Sequence, residues 1–229
     1  MSFSGTDKKP RFSGNSPKSN EIEASSAKKK RAVLEVAAVV ATGLLNIVFE
    51  NLLHLKSVFI AAAFIGWGAY LLRSAWRDPT RWRTWGFRRD TLPGSALWAS
   101  AAGVPAASAM VVYGLHAGHL PPPPSYWLIL ALYPIWGLLQ QFLLNALLAT
   151  NLSMLLPAGA VVPVAAALFS VAHAPDLTLM SLTFFAGCLW VFIFLRHPNL
   201  WPLGIWHGLL GALAYYAVLG RDPLRMLIP

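Results

Sequence analysis

The stretch SYWLILALYPIWGLLQQFLLNALLAT, residues 125–150, decides the fold of this chain. It contains no charged side chain and is long enough to cross a bilayer, for which about 20 mostly apolar residues suffice. The whole chain shares this character, since 56% of its 229 residues are hydrophobic, 12% are charged and the mean hydropathy is +0.54. Ordinary soluble domains are about 25% charged. The sequence therefore predicts an all-α, polytopic membrane protein and excludes a soluble enzyme.

Seven hydrophobic segments are predicted as membrane helices, of which the last four form a core bundle. Their predicted bounds are 32–54, 57–76, 94–117, 125–150, 157–174, 177–195 and 200–220. Residues 1–31 differ from them, because they are rich in Ser, Lys, Gly, Pro and Asn and end in Lys28-Lys29-Lys30-Arg31. Such a composition buries too little apolar surface to fold alone. We therefore predict a disordered basic tail at 1–31 and a transmembrane domain at 32–229.

The distribution of Lys and Arg predicts the orientation. With seven spans, 15 of the 18 basic residues fall on the N-terminal side and 3 on the other. Because cytoplasmic loops carry the excess of positive charge, we expect the N-terminus to be cytoplasmic and the C-terminus extracytoplasmic. The basic tail and the Arg77–Arg89 region, which includes Trp82 and Trp85, should contact anionic headgroups. No nucleic-acid partner is expected, since the basic residues flank hydrophobic segments.

The fourth segment carries the first group of polar residues. Tyr133, Gly137, Gln141 and Asn145 recur every four residues, which places them along one helix face, and Gln140 lies beside that stripe. Polar groups at membrane depth are costly and are candidates for function. The same residues also suit a helix–helix interface in which amides form hydrogen bonds across the bundle. Both interpretations stand at this point.

Two histidines form the second group. His173 follows Phe169 by four residues at the end of the fifth segment, and His207 lies near the start of the seventh beside small residues. Each could act in proton transfer, because an unperturbed imidazole titrates near pH 6.5. Each also fits a structural role, as an interfacial or packing histidine.

Asn46, Glu50 and His54 form a third group, spaced four residues apart on the first segment. An unpaired carboxylate at membrane depth would take up a proton or require a partner. Glu50 is therefore held neutral by hydrogen bonds to Asn46, or paired with His54 near the interface, or it is a proton acceptor that faces the bundle.

Taken in order, these motifs resemble the CAAX protease and bacteriocin-processing family, which includes the type II CAAX prenyl endopeptidases. The family pattern is Glu-Glu-x-x-x-Arg, then Phe-x-x-x-His, then His-x-x-x-Asn on successive core helices. Gln140-Gln141-Phe-Leu-Leu-Asn145 aligns with the first motif, Phe169-Ser-Val-Ala-His173 with the second and His207-Gly-Leu-Leu-Gly211 with the third. The resemblance covers about residues 125–215.

The resemblance implies a water-activating site for peptide hydrolysis at His173, His207, Gln140, Gln141 and Asn145, with Phe169 and Gly211 beside the substrate. The sequence departs from the family in both glutamates, in the Arg and in the final Asn. A glutamine cannot accept a proton at neutral pH, although it can orient a water molecule. Losing a general base commonly costs about 10²–10⁴ in rate. Either a histidine or Glu50 could substitute for the missing carboxylate.

Three functions follow from the sequence. The first is a CAAX-protease-like endopeptidase that cuts a membrane-associated peptide or protein, and the second is an inactive relative that binds a membrane protein in the same cavity. The third, a transporter or channel subunit, is disfavoured by the absence of an inverted repeat. No cofactor or metal is expected, because two histidines without a carboxylate or cysteine partner make a poor zinc set. The single cysteine, Cys188, excludes a disulfide framework.

Overall fold

A computed structural model describes residues 17–225, and the regular structure in that range is helical. Within this range nine α-helices follow one another, and π-helical turns continue two of them. The helices are α1 (Pro17–Asn51), α2 (Lys56–Arg77), α3 (Thr80–Thr84), α4 (Leu92–His116), α5 (Ser125–Gln141), α6 (Thr150–Leu155), α7 (Ala158–Val171), α8 (Leu177–Arg196) and α9 (Leu200–Leu213). The π-helical segment Phe142–Ala149 joins α5 to α6, and a second one, Ala214–Val218, extends α9.

Each of the seven predicted segments coincides with a helix, which confirms the all-α class. Within residues 17–225, five helices are long and apolar enough to cross a membrane, which makes this a multi-pass membrane protein. They are Glu21–Asn51, Lys56–Arg77, Leu92–His116, Ser125–Leu155 and Leu177–Arg196. Ala158–Val171 is apolar but shorter. The prediction of seven crossings, and of the side on which each terminus lies, stays a prediction.

The first helix differs from its predicted bounds at both ends. It begins at Pro17, so the predicted boundary at residue 31 falls inside α1, while residues 1–16 lie outside the described part of the chain. It ends at Asn51, and His54 follows in the connection with a positive φ of 53°. The prediction that His54 continues the helical face of Asn46 and Glu50 is therefore wrong.

The backbones of α5 and α9 pack unusually close to each other. A Cβ atom built on Gly137 would lie 2.5 Å from the carbonyl oxygen of Gly204, and one built on Gly208 would lie 2.5 Å from the backbone nitrogen of Pro134. Only a hydrogen atom fits in these two places. Small residues at such a crossing let two backbones pack directly, which is a common way for membrane helices to associate.

The core surrounds the π-helical segment that follows α5. Phe142, Leu144 and Leu147 are almost fully buried there, together with Trp190 of α8 and Leu203 of α9. π-Helical turns are rare and often mark functional sites. Of the two candidate amides, Gln141 directly precedes this segment and Asn145 is its fourth residue.

Trp85 corrects one detail of the predicted interface. The sequence placed it with Trp82 among headgroup anchors, but only 5% of Trp85 is exposed. Its ring packs edge-on against Phe142 with 5.3 Å between the ring centroids, and it also contacts Tyr70. The connector after α3 therefore inserts one aromatic ring into the core, whereas Trp82 remains exposed.

Candidate functional site

A small cavity of about 150 Å³ lies between α1, α2, α5, the π-helical segment and the end of α7. Most of its wall is apolar, from residues such as Trp136 and Leu168. Three of its polar lining residues are Gln140, His173 and Asn46. The arrangement, a few polar groups in a largely apolar cavity, is typical of ligand sites.

Gln140 connects this cavity to the last helix. Its Oε1 atom lies 2.8 Å from Nε2 of His207 on α9. Because an amide oxygen only accepts hydrogen bonds, His207 Nε2 carries the proton and donates it. The bond also orients the Gln140 amide, since its oxygen is occupied and its NH₂ group remains the donor end. Two residues predicted to converge, 67 positions apart in sequence, therefore meet.

His173 lies in the turn directly after α7, where Nδ1 lies 2.9 Å from the backbone oxygen of Phe169. The carbonyl oxygen accepts, so Nδ1 carries a proton and Nε2 of the neutral ring is the basic nitrogen. The Phe169 ring contacts both histidines, with its centroid 5.0 Å from that of His173 and 5.6 Å from that of His207. This aromatic contact, rather than a direct bond, links the two imidazoles.

Gln141 and Asn145 form a separate pair. Asn145 Nδ2 donates to Gln141 Oε1 at 2.6 Å, and both side chains are fully buried. Their other amide atoms, Gln141 Nε2 and Asn145 Oδ1, are buried and find no hydrogen-bond partner among residues 17–225. Neither residue lines the cavity. The structure therefore separates the two adjacent glutamines, because Gln140 faces the cavity and Gln141 faces the protein interior.

Tyr133 and Gly211 meet at the interface of α5 and α9. A Cβ atom built on Gly211 would lie 3.3 Å from Cδ1 of the Tyr133 ring. Gly137 lies in the same interface, against Gly204 and Gly208. The stripe predicted on α5 therefore contributes to helix packing at Tyr133 and Gly137.

Glu50 has a partner that the sequence did not indicate. Its carboxylate accepts a hydrogen bond from Lys56 Nζ at 2.5 Å and another, at 3.5 Å, from Asn46 Nδ2. Asn46 also donates to the backbone oxygen of Ala172 at 3.2 Å, which ties α1 to the residue before His173. Glu50 itself is absent from the cavity wall. The predicted ion pair with His54 is replaced by one with Lys56.

Asp176 fixes the chain just beyond His173. It caps α8 by accepting a hydrogen bond from Leu179 N at 3.0 Å, and it pairs with Arg221 at 2.5 Å. Burial disfavours the ionised carboxyl group, but the Leu179 and Arg221 donors outweigh burial and lower the pKa of Asp176. The turn that carries His173 is therefore held between α7 and a capped α8.

Sequence reasoning missed a second polar cluster, which is centred on Glu35 of α1. The Glu35 carboxylate accepts from Arg31 Nε at 2.7 Å, from the Tyr70 hydroxyl at 2.6 Å and from Asn151 Nδ2 at 2.7 Å. It joins α1 to α2 and α6. The signal that could have revealed it is the acidic residue four positions after Arg31 inside an apolar run.

Among residues 17–225, no three His, Cys, Asp or Glu side chains lie close enough together to hold a metal ion. Comparison of the chain with protein-family models, with curated proteins and with solved structures found no match.

Proposed function

We propose that the protein is a CAAX-protease-like membrane endopeptidase that hydrolyses a membrane-associated peptide or protein. The observation that carries this proposal is the bond between Gln140 and His207, together with the lining of one cavity by Gln140 and His173, in the order of the family motifs. Catalysis needs a base within reach of a water molecule and a donor for the developing oxyanion. The described site offers both.

His173 supplies the base in this proposal. Its Nε2 atom takes a proton from water as the water oxygen bonds to the carbonyl carbon of the substrate, and the carbonyl oxygen becomes the oxyanion. The same proton then passes to the amide nitrogen as the carbon–nitrogen bond breaks. Gln140 donates from its NH₂ group to the oxyanion, and His207 positions Gln140 by occupying the other end of the amide.

The test is cleavage of a membrane substrate library by the purified protein in lipid. Replacing His173 with Ala should lower turnover by about 10²-fold or more, as expected for removal of a positioned base. His116→Ala is a matched control, because His116 makes the same local bond, from Nδ1 to the backbone oxygen of Val112 at 2.8 Å, on the exposed end of α4. Cleavage that survives His173→Ala would overturn the proposal.

A second candidate is an inactive relative that binds a membrane peptide without cutting it. The observation that favours it is that no Asp or Glu among residues 17–225 lines the cavity, together with the engagement of Glu50 by Lys56. In this case the wild type cleaves nothing and a restored carboxylate creates activity. The geometry selects Gln140→Glu as the activating change, because Gln140 lines the cavity. Gln141→Glu is the control, since Gln141 is buried against Asn145.

A further inference from the structure

A long groove runs between α1 and α2 and adjoins the cavity of His173, with which it shares Thr42, Phe59 and Ala63. It has a volume of about 550 Å³ and an apolar wall that includes Leu34, Leu45, Phe59, Ala63 and Gly66. The lining residues of α1 extend from Arg31 to Leu45, a distance of about 20 Å at 1.5 Å per residue. One leaflet of a bilayer has a hydrocarbon thickness of about 15 Å, half of the whole. The groove therefore matches an acyl chain in length.

Polar residues are confined mainly to one end of this groove. Arg31 donates to Glu35 at 2.7 Å and to the Tyr70 hydroxyl at 3.2 Å. A guanidinium group has five N–H donors in a fixed plane, so these two bonds orient it and leave donors for a further acceptor. The Arg31 side chain is 46% exposed, which leaves it accessible from the membrane surface.

Positive charge is concentrated at the same end. Lys28, Lys29 and Lys30 immediately precede Arg31 on α1, and all of them are exposed. None of the three lysines has an acidic partner within 4 Å in the part of the chain that the structure describes. Glu35 offsets the charge of Arg31 but not the charges of the three lysines. An excess of three positive charges therefore lies beside the polar end of an apolar groove.

We propose that this groove binds one anionic phospholipid, with an acyl chain between α1 and α2 and the phosphate at Arg31 and the lysines. Guanidinium donors recognise phosphate oxygens by charge-assisted hydrogen bonds. Clusters of Lys and Arg next to a membrane helix attract anionic lipid. This proposal does not depend on the proposed hydrolysis, since none of the residues assigned to that reaction lines the groove.

Native mass spectrometry of the purified full chain, titrated with phosphatidylglycerol or phosphatidylcholine, tests the proposal. The wild type should retain phosphatidylglycerol in preference to phosphatidylcholine. Changing Lys28, Lys29 and Lys30 to Gln should weaken phosphatidylglycerol binding by about fivefold for each lysine, which corresponds to about 1 kcal/mol each. It should leave phosphatidylcholine binding unchanged.

A pair of glycines on α2 provides a matched test of the groove itself. A Cβ atom on either Gly66 or Gly68 meets nothing within 4 Å, so a larger side chain fits at both positions, but only Gly66 lines the groove. Gly66→Leu should weaken phosphatidylglycerol binding at least tenfold, and Gly68→Leu should not. Equal retention of the two lipids, equal behaviour of the two glycine variants, or cross-links that place a second protein chain in the groove would each overturn the proposal.

Discussion

The helix pairs α5–α9 and α1–α2 pack in opposite ways. In α5–α9, glycines bring the two backbones into contact, and a Cβ atom at Gly137 or Gly208 would lie 2.5 Å from backbone of the opposite helix. In α1–α2, the helices leave a groove of about 550 Å³ between them, and Gly66 faces open space. Glycine alone therefore does not predict close packing. How closely two helices approach each other depends on whether the glycines of one helix face those of its neighbour.

The two helix pairs also differ in where their polar side chains lie. The α5–α9 pair carries the Gln140–His207 bond, and Gln141 and Asn145 bond to each other in the interior nearby. The α1–α2 pair places its polar groups at one end, where Glu35 collects three donors. Tight packing accompanies the residues proposed to react, because a site must be held within a fraction of an ångström. A loosely packed pair leaves room for a lipid.

The largest expected effect is on the glycine contact of α5–α9. Gly208→Ala places a methyl group 2.5 Å from the Pro134 nitrogen, which is backbone and cannot move aside. We expect a loss of about 1–3 kcal/mol in the free energy of unfolding, the usual range for overpacking. Reversible unfolding in mixed micelles measures it.

Gly66→Ala is the control for that change. It adds the same methyl group to open space, so the higher helix propensity of alanine should stabilise α2 by about 0.5–1 kcal/mol. The comparison of the two helix pairs fails if both variants shift stability in the same direction.

The buried pair Gln141 and Asn145 should give the next effect. Gln141→Leu or Asn145→Leu alone leaves a buried amide without its partner, which should cost about 1 kcal/mol. The double change removes both amides and should cost no more than either single change. A double-mutant cycle on unfolding free energies measures this coupling. Additive losses would show that the two amides act independently.

The apolar helices were predictable from the sequence, whereas their contacts were not. Composition and run length are local properties, so residues 177–195 closely matched α8, Leu177–Arg196. The Glu35–Asn151 bond joins positions 116 apart, which no periodicity reveals. The π-helical segment Phe142–Ala149 was also missed, because its hydrophobic pattern is that of an ordinary buried helix.

The residues of the candidate site and their order were predictable from the sequence. Which of them line the cavity and which face the protein interior was not. The alignment placed Gln140 and Gln141 together, and only the structure shows that one lines the cavity while the other faces the interior. Glu50 was recognised as costly, yet its partner Lys56 lies in the connection predicted between the first two segments, and it is the first residue of α2. Side-chain direction depends on where a helix ends, which the sequence locates only within a few residues.

A smaller effect is expected at Glu35. Glu35→Gln keeps the shape of the side chain but removes the charge that pairs with Arg31, so we expect a loss of up to about 1 kcal/mol in unfolding free energy. Glu21→Gln is the control, because Glu21 is exposed on the same helix. Equal stability of these two variants would contradict a structural role for the Glu35 cluster. The same unfolding measurement serves for both.

The smallest effect is a pH dependence in the connection between α3 and α4, outside both helix pairs. The hydrogen bonds from Arg88, with the charge of Arg83 nearby, lower the pKa of Asp90 to about 2. A lowered pKa means that the folded state favours the carboxylate, so this contribution is present in full above the ordinary value of about 3.9 and is lost as the pH falls through about 2. Protection factors from hydrogen exchange at residues 86–92, followed from pH 5 to pH 2, should fall only at the acidic end. Arg88→Gln should move that loss of protection upward, toward pH 4, because it removes the strongest donor to the carboxylate. Asp90→Asn should abolish the pH dependence while leaving both helix pairs unchanged.

A transition in the wild type centred near pH 4 would show that Arg88 does not hold the Asp90 carboxylate in solution.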